Sequence, residues 1–171
     1  YPYSFTSTNE TLEQNFCIKP IGDYNDLEVS IVPLETLIPG GNVKYKVLVH
    51  NKGNKISNGE LSFDFDNTRM QFMNSSQSPV SIIGGKVKWI YSNILPFGTM
   101  DFDINLRCNS PVEAPPVNVG DTLRFAAAIK SQNRDETSLD TNFVLNQLAH
   151  NSSLYNTVEC LQGDILSIKK I

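Results

Sequence analysis

Residues 109–147 read NSPVEAPPVNVGDTLRFAAAIKSQNRDETSLDTNFVLNQ, and this stretch decides the fold class. Its proline-rich opening, with Pro111, Pro115 and Pro116, cannot run on as a helix or a central strand. After Asp121 the chain becomes apolar at every second residue. Leu123, Phe125, Ala127 and Ile129 therefore share one face, as a half-buried strand requires. A polar loop carrying Asp135, Glu136 and Asp140 follows. Phe143 and Leu145, with Gln147 in the same register, then resume the alternation. Strand, turn and strand without a helical period form the closing hairpin of an antiparallel β-sandwich.

The same period extends upstream. LEVSIVP sets Leu27, Val29 and Ile31 on one face, and IPGG turns the chain. In NVKYKVLVHN, Val43, Tyr45, Val47 and Val49 point one way while Lys44 and Lys46 point to water. GELSFDFD repeats the pattern with Leu61, Phe63 and Phe65. MQFM, SPVSII and the turn at Gly84-Gly85 lead into KVKWIY, a hairpin arm presenting Val87, Trp89 and Tyr91. LPFGTMDFDINLRC adds Met100, Phe102, Ile104 and Leu106. The count predicts an all-β sandwich of seven to nine strands with no helix longer than two turns. Its expected anchors are Tyr45, Val47, Phe63, Trp89, Phe102, Phe125 and Phe143. Trp89, the single tryptophan, reads as a core residue before it reads as a ligand platform.

Composition narrows the function classes. Hydrophobic residues make up 40% of the 171 and charged residues 19%, the balance of a folded domain. Fourteen basic against 18 acidic side chains leave a net charge of −4 and no basic footprint for nucleic acid. No apolar run approaches the ~20 residues that span a bilayer, so no direct membrane insertion is expected. The expected division is a linker or the tail of a preceding domain over 1–22, the sandwich over 23–150, and a junction with the start of a following module over 151–171.

Catalytic signals are weak. There is no GxSxG, no HExxH and no phosphate-cradling glycine loop, and His50 and His150 each stand without a motif around them. Hard oxygen ligands for calcium gather in two places: Asp135, Glu136, Asp140 and Asn142 in the late loop, and Asp23, Asn25 and Asp26 before the first strand. Neither matches EF-hand spacing, and the same residues are good turn formers. Cys17, Cys108 and Cys160 contain no CxxC pair, which speaks against zinc and thioredoxin-type chemistry. They are open to one disulfide or to three unpaired thiols.

Several segments together resemble an immunoglobulin-like module of secreted, multidomain Bacteroidetes surface proteins, flavobacterial ones especially. These are QNFCI, YNDLEVSIVPL with its Pro-Gly turn, the LPF before a long strand, PPVNVGD, the DET turn, FVLNQ and ECLQG. The resemblance implies a place between leucine-rich repeats and a type IX secretion sorting domain, and hence a secreted or outer-surface location. It also implies pairing of Cys17 with Cys160, whereas Cys108 stands where related modules carry an aliphatic residue. The junction LYNTVE departs from the Asp-Pro-Asn-Asp-Lys-like form of the family, which removes support for a metal role there. Asp121-Thr122-Leu123 fits a short O-glycosylation pattern of that phylum, with Thr122 as acceptor. Asn9, Asn74 and Asn151 head eukaryotic N-glycan triplets that carry no meaning in a bacterial chain.

The expected function is a non-catalytic spacer or presentation module that contributes to adhesion, its partners being neighbouring domains of the same polypeptide. The alternative is a module, calcium-stiffened or not, that binds a surface glycan or an envelope protein through end loops. Tyr91 and Phe97 are the nearest aromatic pair for that role. A further alternative is a component or cargo of a secretion or gliding machinery. Lys44, Lys46, Lys86 and Lys88 would discourage edge-to-edge pairing if they lay on edge strands.

Overall fold

The computed structural model describes Asn15 and residues 17–151. Nine strands follow one another: β1 (Leu27–Pro33), β2 (Asn42–Asn51), β3 (Ser57–Asp64), β4 (Met70–Ser75), β5 (Ser81–Ile83), β6 (Lys86–Ile94), β7 (Thr99–Cys108), β8 (Thr122–Ser131) and β9 (Asn142–Leu148). They make two sheets, β1-β2-β7-β4 and β5-β6-β3-β8-β9, with every pairing antiparallel. No helix occurs among the described residues.

Period two in the sequence becomes inside and outside in the sandwich. Val43, Tyr45, Val47 and Val49 face Leu61, Phe63, Val87, Trp89 and Phe125 across one continuous core, and all are buried. Tyr45 and Phe125 approach to 4.5 Å between ring centroids, and Trp89 and Phe102 to 5.6 Å, within the range where tilted rings attract. Six of the seven expected anchors are fully buried; Phe143, on edge strand β9, is half-buried and packs against the core margin. Polar tips are satisfied: Trp89 Nε1 donates to the Gln77 carbonyl at 3.0 Å, and the Tyr45 hydroxyl donates to Gln147 Oε1. Gln147 Nε2 in turn donates to the Glu35 carbonyl at 3.3 Å. Burial pushes the Tyr45 phenol well above its ordinary range, so this bond keeps its proton. Gly59 has its own reason to lack a side chain, since a Cβ there would sit 1.9 Å from the Lys130 carbonyl oxygen.

The four lysines are not on edges. β2 lies between β1 and β7, and β6 between β5 and β3. Their ammonium groups instead cross the outer faces, Lys44 to Asp103 at 2.8 Å, Lys46 to Asp101 at 2.7 Å and Lys88 to Glu60 at 2.8 Å. Edge protection comes from elsewhere. The Leu27 N–H donates to Asp135 Oδ2 at 2.9 Å, the Val29 N–H to the Asp140 carbonyl at 3.0 Å, and the His150 N–H to the Leu37 carbonyl at 2.9 Å. The β1 and β9 edges are thus turned toward each other, Pro33 at the end of β1 has no N–H to offer, β4 is bulged between Phe72 and Asn74, and β5 is three residues long. Each of these devices blunts a strand edge.

Strand direction alternates at every step. Leu27, where β1 begins, pairs with Asn51 at one pole of the sandwich; Leu148, where β9 ends, pairs with Thr122 at the other. The chain therefore comes in at one pole, called upstream below, and leaves at the opposite, downstream one.

Candidate functional site

Four segments converge at the upstream pole: the incoming residues 22–26 and the loops at 52–56, 95–98 and 132–141. Their contact is close. Asn54 Oδ1 accepts the Tyr24 N–H at 2.8 Å and Asn54 Nδ2 donates to the Gly22 carbonyl at 2.8 Å. Gly53 passes so near the incoming chain that a Cβ would lie 2.4 Å from the Tyr24 carbonyl oxygen. A solvent-open hollow lies beside this joint, lined by Asp23, Asn25, Lys55, Ile56 and Asn133.

The two acidic groups read from sequence are regrouped. Asp26 from the first and Asp135 and Asp140 from the second bring carboxylate oxygens within 4.8 Å of one another. Asp23 instead faces Lys55 at 2.9 Å, and the Asn25 carbonyl accepts the Glu136 N–H at 2.8 Å. Glu136 is exposed and outside the trio, and Asn142 Nδ2 turns to Thr141 Oγ1 at 3.3 Å. Each carboxylate of the trio has protein partners. Asp135 accepts the N–H groups of Leu27 and Thr137, and Lys52 reaches Asp140 Oδ2 at 3.2 Å. The Thr137 hydroxyl lies within bonding distance of both Asp26 Oδ1 and Asp140 Oδ1, and its single proton serves one at a time. Burial first, then the neighbouring Asp26 and Asp140, hold the Asp135 carboxyl above its ordinary range. Oxygens so disposed are the donor type a calcium ion takes. As they stand, they latch the late loop to the start of β1.

Asn51 organises the rest of the pole. It is fully buried, and its Nδ2 lies 2.7 Å from the Lys55 carbonyl, 3.0 Å from that of Ile94 and 3.2 Å from that of Leu95. Its Oδ1 accepts the Gly53 N–H at 3.0 Å, and its own N–H donates to the Gly98 carbonyl at 2.9 Å. The 95–98 loop held in this way carries Phe97 at φ 61°, a left-handed backbone, with 70% of the residue exposed.

Tyr91 does not join Phe97 as an exposed aromatic. It is 1% exposed, its hydroxyl donating to the Lys130 carbonyl at 3.2 Å, because the alternation of β6 turns it inward. The histidines are far apart: His50 closes β2 at the upstream pole near Glu28, and His150 lies beside Ile38, Pro39 and Pro111 at the downstream one. Thr122 is exposed at the start of β8. Cys108 is buried and its thiol is pushed up by that burial, while Cys17 is exposed. Cys160, its expected disulfide partner, lies outside the described residues, as does Asn9. Sequence reasoning missed Asn51, although Asn-x-Gly at 51–53 is the signature of an Asx turn. It also missed Thr137, whose polar neighbours give no signal of their own.

No family model matches the chain, and no curated protein matches it. Solved structures do. A CARDB domain from Pyrococcus furiosus, solved in complex with di-metal ions, superposes with a TM-score of 0.54 at 12% identity, over 77% of this chain and 98% of that one. A cohesin module from a Clostridium perfringens family 33 glycoside hydrolase does so with a TM-score of 0.50 at 8% identity, over 75% and 98%. Likeness at such identity is a likeness of fold, and together with the two antiparallel sheets it makes this chain an immunoglobulin-like β-sandwich.

Proposed function

We propose that the chain is a non-catalytic, in-line spacer or presentation module of a secreted or surface-exposed protein. One observation carries this reading: the polypeptide comes in at one pole and leaves at the other. Tension applied through the two ends would pull β1 and β9 lengthwise against their neighbours β2 and β8. The ladder bonds of each pair would then be loaded together rather than one after another. The histidines, separated by the length of the sandwich, make no base for a common nucleophile, and the core is filled by side chains. The segments from QNFCI to ECLQG support the surface setting by resemblance.

Pulling single molecules from their two ends tests it. Rupture of the sandwich in one event at a defined force is expected; gradual lengthening at low force would sink the spacer reading. Two further measurements favour the alternatives if positive. Saturable binding on titration with surface glycans would make the module a binder. A loss of several degrees in Tm on chelation would make Asp26, Asp135 and Asp140 a stiffening calcium site, since an ion bound only to the native state stabilises it.

A further inference from the structure

We draw no further inference here: the strongest candidate, the exposed apolar surface of Met73, Val80, Ile82 and Ile83 on the edge strands β4 and β5 and the segment joining them, is an unpartnered face, and nothing in the structure shows what covers it.

Discussion

The Trp89 indole sits 5.6 Å from Phe102, wholly out of water, with its N–H on the Gln77 carbonyl. Trp89→Ala removes the largest side chain of the core and is expected to lower unfolding stability by about 3–5 kcal/mol, measured by urea titration. Its role was legible, because period two in KVKWIY leaves one face for it. Glu113 was not. Its carboxylate takes Arg107 at 3.0 Å and the Ser110 N–H, and these partners hold its pKa down to about 2. Nothing in PVEAPP announces that this loop folds back onto β7. A carboxylate with a depressed folded pKa stabilises above the ordinary glutamate range and loses that contribution as pH falls through it toward about 2. Glu113→Gln is therefore expected to flatten the acid limb of the stability profile there while changing little at low pH, as melts across the acid range would read.

The long strands were legible as elements, since each buries one face and alternation is the mark of that, whereas β4 and the three-residue β5 bury almost nothing and carry no such mark. Their neighbours were not, and the lysines show why. Charge on a strand says that a face is wet, not that an edge is free, and only sheet order tells the two apart. The latch on β1 shows a second limit: Leu27 and Asp135 meet across 108 residues of sequence, a separation no local pattern spans. Its energetic meaning is that a buried N–H has found an acceptor. Asp135→Ala leaves the Leu27 N–H without this partner and is expected to cost about 1–3 kcal/mol. Hydrogen exchange at Leu27 and Val29 is expected to rise more than at the centre of β2, and equal protection would mean that the latch holds nothing.

At the scale of the whole sandwich, the described residues share one core, with side chains of both sheets in a single buried cluster. Unfolding is accordingly expected in one cooperative step, with Trp89 fluorescence and far-ultraviolet dichroism tracing the same denaturant curve. Two separated transitions would mean that the sheets come apart individually. The alternating directions of the nine strands carry a further consequence. Because the count is odd, tandem copies would run head to tail and add height with each repeat. Removing any one strand would send the polypeptide back to the pole from which it came, doubling the thread on itself. Such a domain can gain or shed strands over evolutionary time only as hairpins, two together, if the thread is to keep its heading.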